Sequence, residues 1–311
     1  MIRLTALVGV LAISFAPIFV RLASVSPTTA SVFRGLYALP PLFVLWLAVR
    51  RRDRRTRALR WTAIGAGMLL ALDLTLWHRS IADIGAGLAT VLANTQVVFV
   101  GLLAWLVHRE RPTRLAFLCV PLVLVGVVLI SGLGRADAYG DAPLRGTVVG
   151  ILSGVAYSGY LLVFRASNRM RGHPAGPDLD ASIGLAVGAL LLGGLDPGFD
   201  LSPHWPAHGW LLALALVAQT FGWLLLAMVL PRLPALETSV MLLLQPIGAM
   251  IWGWLLFDER VNVLQGWGAL LVLGGIAALQ LGASVEPRTP HRTGTPGRTS
   301  QRAEGEPEVE R

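Results

Sequence analysis

The chain of 311 residues is 54% hydrophobic and only 14% charged, where a soluble protein of this size carries roughly a quarter. All 26 basic residues are arginine, which rules out the lysine of a Walker A phosphate loop and any lysine Schiff base, so ATP-driven chemistry within the chain is not expected. A net charge of +8 would suggest nucleic-acid binding in a soluble protein; with apolar residues in long blocks it points instead to loops facing anionic lipid, with the bilayer and not nucleic acid as the partner. Cys119 is the single cysteine and lies in an apolar run, leaving no internal disulfide and no Cys-based metal site.

A bilayer-crossing helix needs about 20 mostly apolar residues. Ten segments qualify: 4–22, 28–49, 61–79, 84–107, 114–133, 146–166, 180–195, 209–230, 237–257 and 262–283. The first, MIRLTALVGVLAISFAPIFVRLA, resembles a signal peptide but is expected to stay as an uncleaved helix, because many spans follow. Arg34 lies within the second. Asp73, in LLALDLTLW, is about 12 residues into the third, roughly 18 Å deep, and Trp77 shares its helical face. The fourth carries Asn94 and Gln96, which an ideal helix places about 200° apart, so unless the helix is irregular there only one can face a cavity, and Gln96 is the one expected.

The sixth span has Gly146, Gly150 and Gly154 at the four-residue spacing of close helix packing, with Tyr157 and Tyr160 on one face. The seventh, containing GLAVGALLLGGL, is short. His204 and His208 in SPHWPAHGW are weak evidence for a metal, and none is assigned. The eighth span repeats the polar-then-Trp pattern with Gln219 and Trp223. The ninth opens on Glu237, in line with Met241 and Gln245, and carries Pro246, which with Pro17 and Pro121 is a candidate hinge. The tail 284–311, rich in Pro, Gly, Arg and Glu, is expected to be disordered and cytoplasmic.

Short cytoplasmic loops collect arginine. With the N-terminus inside, twenty arginines fall on cytoplasmic segments and five outside, Arg34 being within a span. Residues 88–130 laid on 237–279 match at eleven of 43 positions, including Gln96 with Gln245 and Glu110–Arg111 with Glu259–Arg260. Such self-similarity marks an internal duplication. Each half has five spans, an odd number, so the second enters the membrane from the opposite side; WLVHRERPTRL then lies in the cytoplasm and WLLFDERVNVL outside. The expected fold is an all-α polytopic membrane protein of ten helices in two inverted five-helix repeats, 4–133 and 146–283, joined by an external linker 134–145. Inverted repeats place a pocket between the halves near the midplane, and rocking them gives alternating access.

Three stretches carry a resemblance to a known family: Arg34 in FRGLYALPPL, IGAGLATVLANTQVVFVGLLAWLVHRERP, and LETSVMLLLQPIGAMIWGWLLFDER. Over residues 4–283 the chain resembles the EamA-like branch of the drug/metabolite transporter superfamily, which implies movement of a small metabolite or drug, commonly export. It departs from half-to-half symmetry where VVFV at 97–100 lacks the proline that Pro246 supplies.

The residues then divide by role. Asp73 and Glu237 are the candidates for proton coupling, although Asp73 equally suits a structural acid that is protonated or paired with an arginine such as Arg34, and Glu237 a helix-start acid favoured by the dipole. Gln96, Gln245, Trp77, Tyr157, Gln219 and Trp223 are candidates for lining a substrate pocket, with helix-to-helix hydrogen bonding the competing use of the two glutamines. Arg34, Pro246, Glu110 and Glu259 are assigned structural or hinge roles. The expected activity is secondary transport of a small molecule such as an amino acid or amphipathic drug, exchanged for protons, with no cofactor and no metal. An uncoupled facilitator and a membrane-embedded enzyme are the competing classes. The few intramembrane acids lie in separate spans, which disfavours the enzyme.

Overall fold

The computed structural model describes residues 2–108, 114–132, 137–168, 173–229, 232–233 and 235–285, with the backbone alone given for 104, 107–108, 114, 116, 235–240 and 283–285. Every regular element among them is helical. In chain order these are α1 (Ile2–Ser14), α2 (Ala16–Ala23), α3 (Pro27–Val49), α4 (Arg57–Ala93), α5 (Gln96–His108), α6 (Arg114–Ile130) and α7 (Pro143–Ser167). Next come α8 (Ala175–Gly193), α9 (Ala207–Ala213), a π-helical stretch (Leu214–Gly222), α10 (Trp223–Val229), α11 (Ala235–Phe257) and α12 (Val263–Val285). Seven helical segments among the described residues are long and apolar enough to cross a bilayer.

Helix starts follow the local chemistry. Ser26 caps α3 by accepting the Thr29 N–H at 3.2 Å, with Pro27 supplying a ring-fixed φ in the first turn. Thr56 caps α4 the same way through the Leu59 N–H at 3.3 Å. Interior breaks are equally specific. The first predicted span is two helices, parted at Phe15 with Pro17 opening the second. Gly85, at φ 83°, interrupts α4, so the third predicted span ends there and the fourth is made of residues 86–93 and α5, on either side of a turn at Asn94–Thr95. The predicted seventh span is extended by five residues at its start, so that Asp178 and Asp180 lie on α8.

Small residues set the crossings. A Cβ on Gly67 would run into the Ala181 carbonyl, and one on Gly184 into the Ile64 carbonyl, so α4 and α8 run parallel at backbone contact. Gly146 lies against Asp83 and Ile84, and Gly150 against Ser80, which seats α7 antiparallel on α4. The contacts of α6 with α12 are reciprocal: Gly126 faces Val272 and Gly268, while Gly275 faces Val123 and Cys119. Phe117, Leu118, Trp267 and Leu270 are more than half exposed on the outside of the bundle, as lipid-facing side chains are.

Candidate functional site

The helices enclose a cavity of about 300 Å³ at their centre. Gln96, Gln245, Trp77, Tyr157, Gln219 and Trp223 all line it, as do Arg34 and Asp73. They come from α3, α4, α5, α7, α11 and the segment that includes the π-helical stretch, so both halves of the chain contribute. A π-turn widens the helical register and is found most often at functional sites; here it carries Gln219 and leads directly into Trp223.

Arg34 is buried, at 4% exposure, inside an apolar bundle. Its Nε donates to Gln219 Oε1 at 2.7 Å and its guanidinium lies 5.9 Å from the Trp77 ring centre, while Nη1 has no hydrogen-bond partner. Asp73, also buried, accepts a 2.6 Å hydrogen bond from Ser153 Oγ. Arg34 and Asp73 make no ion pair with each other, a pairing that was one of the expected uses of Asp73: Gln219 holds the arginine and Ser153 holds the acid. Buried charges stay unpaired only at considerable cost, which makes this separation functionally informative. On the α7 wall the Tyr157 and Tyr160 rings stack 5.5 Å apart, and Phe164 continues the row at 5.2 Å.

Asn94 and Gln96 both face the cavity, against the ideal-helix expectation. The reason is the turn between α4 and α5, where Asn94 ends one helix and its Nδ2 donates to the Thr90 carbonyl at 2.8 Å. Asp178 and Gln280 are further lining residues that sequence reasoning did not single out. Asp178 had the right residue type, but its position just ahead of a hydropathy-defined span made it look like a loop residue.

A second cavity, of about 380 Å³, lies beyond the first: Trp77 lines one and its neighbour His78 the other. Between α2, α4 and the end of α11 sits Glu259, 5% exposed. Its carboxylate accepts the N–H groups of Ala86 at 2.7 Å and Gly87 at 3.1 Å, the first donors of the helix that restarts after Gly85. It also pairs with Arg21, whose guanidinium stacks 4.4 Å from the Phe257 ring centre. Glu259 thus anchors its loop to a helix start 173 residues away, while Arg260 pairs with Asp258 instead. The Asp258 partner raises the Arg260 pKa.

At the opposite end of the bundle, Asp180 takes Arg55 at 2.9 Å and Arg60 at 3.1 Å, and Arg55 also grips Asp53. The Arg55 side chain, joined by the Trp46 indole N–H, pulls the Asp53 carboxyl down to about 2. His204 pairs with Asp200, holding that carboxyl well below the usual range, and His208 contacts the Tyr37 hydroxyl at 2.6 Å. No metal-binding cluster of three or more His, Cys, Asp or Glu exists among the described residues. Pro246 sits within α11, which continues through it. Glu110 lies outside the described residues, as does the tail from residue 286; Glu237 is placed in the first turns of α11 by its backbone only.

The comparisons with known proteins agree with this architecture. A protein called an uncharacterized transporter in Synechocystis is 32% identical over 165 residues, 52% of this chain and 47% of that protein. The matched region therefore spans about half the length of that relative. An uncharacterized transporter of Bacillus subtilis is 23% identical over 82% of this chain and 85% of its own, and one of Archaeoglobus fulgidus is 24% identical over 85% and 91%. A solved crystal structure superposes with a TM-score of 0.56 over 91% of this chain and 96% of its own, at 17% identity, and so shares the fold. The profile of the EamA-like transporter family matches twice, over residues 1–132 and 144–280. With nearly the whole chain covered by two such matches on a bundle of apolar helices, this multi-pass membrane protein belongs to the EamA-like transporter family of the drug/metabolite transporter superfamily.

Proposed function

We propose that the chain is a secondary transporter that exports a small metabolite of amino-acid type by alternating access, in exchange for protons. The observation that carries this reading is the single central cavity in which a buried arginine and a buried aspartate are held apart by Gln219 and Ser153. Its volume of about 300 Å³ is at the small end of ligand sites, which suits a compact polar molecule better than a bulky drug. Aromatic walls with a few fixed polar groups are what such a ligand needs. Asp73 is the proton-coupling group in this scheme, being the acid within the span that also faces the ligand.

Alternating access follows from an arrangement of ten spans in two inverted repeats, 4–133 and 146–283, with 134–145 as the external link. The reciprocal packing of α6 on α12 supports it: residues 123 and 126 meet the equivalents of each other, 275 and 272, as a two-fold axis requires, and the equivalent helices run antiparallel. The arginine distribution supports cytoplasmic termini in a cell membrane. The hold of Glu259 on Arg21 and on the helix start at Ala86, beside the second cavity that Arg21 lines, supports a state sealed on the outer side.

The test is reconstitution of the purified protein in liposomes holding a pH dye, challenged with single amino acids. Amino-acid flux accompanied by proton movement, both lost in Asp73→Asn, is the expected result. Flux without proton movement in the parent protein would replace the exchanger by a facilitator and return Asp73 to a structural role.

A further inference from the structure

We infer that Asp178 recognises the cationic end of the transported molecule, with Arg34 holding its carboxylate; this assignment rests on the transporter reading above. Asp178 stands in the first turn of α8 and lines the central cavity. Its Oδ2 is shut away from solvent, and among the described residues it has no hydrogen-bond partner and no ion pair. The described guanidinium groups around the neighbouring Asp180 are already committed. Arg55 and Arg60 both serve Asp180, two residues further along α8 and so roughly on the other side of the helix, and Arg55 also serves Asp53. That cluster contains two acids and two bases, and is neutral without Asp178.

Arg34 presents the complementary situation in the same cavity. Its Nε is fixed by Gln219, its Nη1 is buried without a partner, and a carboxylate is the group that a guanidinium edge binds best. Tyr157 and Tyr160 both lie within electrostatic reach of Arg34 and Asp73, and Tyr160 also within reach of Asp178, so the stacked rings share one cavity wall with both orphaned charges. Aromatic faces also attract a cation passing along them. With Asp73 protonated and Asp178 ionised, Arg34 and Asp178 give the cavity one positive and one negative group, the charge pattern of a zwitterion inverted.

A first-turn acid also interacts favourably with its own helix dipole, and the experiment must separate that from ligand recognition. The full-length protein in liposomes is assayed with each of three probe types: a free amino acid, its N-acetyl derivative and its decarboxylated amine. The parent protein should prefer the free amino acid over both derivatives. In Asp178→Asn the preference over the N-acetyl derivative should fall roughly ten- to a hundred-fold, the worth of a charge-assisted hydrogen bond, while Asp178→Glu keeps most of it. Arg34→Gln should instead erase the preference over the amine.

A uniform loss of transport for all three probes in Asp178→Asn, with the preference ratio unchanged, would assign the residue to the helix dipole and overturn the inference. Parent protein that moves amines or N-acetyl acids but no free amino acid would also overturn it, while leaving a transporter. Parent protein that moves nothing would remove the transporter reading itself.

Discussion

Replacing Glu259 with glutamine removes one charge and almost no volume from the contact it makes with Arg21 and Gly85, both of which line the second cavity. The carboxylate now accepts from the N–H groups of Ala86 and Gly87 and faces the Arg21 guanidinium, all while 5% exposed. Glutamine keeps one acceptor oxygen but turns a donor amide toward the second N–H. That loses one charge-assisted hydrogen bond, worth about 1.5–3 kcal/mol, and the favourable charge at a helix start, worth about 0.3–1 kcal/mol. Arg21 adds little, because its side chain is 34% exposed and retains both water and the Phe257 ring. The closed arrangement should therefore weaken by roughly 2–4 kcal/mol, or roughly thirty- to eight-hundred-fold in its equilibrium.

The readout is alkylation of a cysteine at position 20, next to Arg21, where Val20 is 7% exposed and lines the second cavity. Val20→Cys is nearly isosteric and is made in a Cys119→Ser background, since Cys119 is otherwise the single thiol. Labelling of Glu259→Gln should accelerate by the factor above, and Glu259→Asp should fall between. Equal labelling rates with and without Glu259 would refute the idea that this carboxylate closes the pathway.

Gly85→Ala should also disturb this closure, since φ is 83° and the new Cβ would lie 2.8 Å from the Glu259 carboxylate; thermal unfolding in detergent should drop by several degrees, and an unchanged melting temperature would contradict the geometry. Gly67→Ala pushes a methyl into the Ala181 carbonyl, so α4 and α8 must separate at a cost of about 1–3 kcal/mol, measured as lost yield of monodisperse protein and a lower melting temperature. Asp53 has its pKa depressed to about 2, so the stability it supplies is complete above the ordinary carboxylate value near 3.9 and disappears as pH falls toward 2. Its side chain is 13% exposed, and Asp53→Asn should cost about 2 kcal/mol at neutral pH, with the gap from the parent protein closing between pH 4 and 2. A gap independent of pH would mean that Trp46 and Arg55 do not depend on the charge.

Several features could be read directly from residue order. Runs of about 20 apolar residues must be helical in a bilayer, because no water is available to satisfy their backbone, and the observed helices fall on the blocks that hydropathy marks. Repetition at a spacing of 149 residues, such as Gln96 with Gln245, needs only the sequence. Trp77, Gln219 and Trp223 could be picked out because a polar or amphipathic group deep in an apolar span requires a purpose.

Other features depended on contacts between distant parts of the chain. Asn94 and Gln96 share a cavity because the helix breaks between them, and no local rule forces a break at Asn94–Thr95. Arg34 takes Gln219 across 185 residues and Asp73 takes Ser153 across 80, so two charges that pattern alone would pair are kept separate. Glu259 has Arg260 beside it in sequence, yet satisfies the helix start at Ala86 and Gly87, because a glycine at positive φ opens a pair of amide donors just where the α11 loop arrives. Asp178 lies just ahead of the predicted span 180–195 and joins the cavity lining because α8 begins five residues earlier, near arginines already claimed by Asp180. Solvent exclusion acts on each segment separately and so is visible residue by residue. The pairing of buried polar groups depends on which helices become neighbours, and that is decided by backbone contacts at glycines such as Gly67 and Gly184.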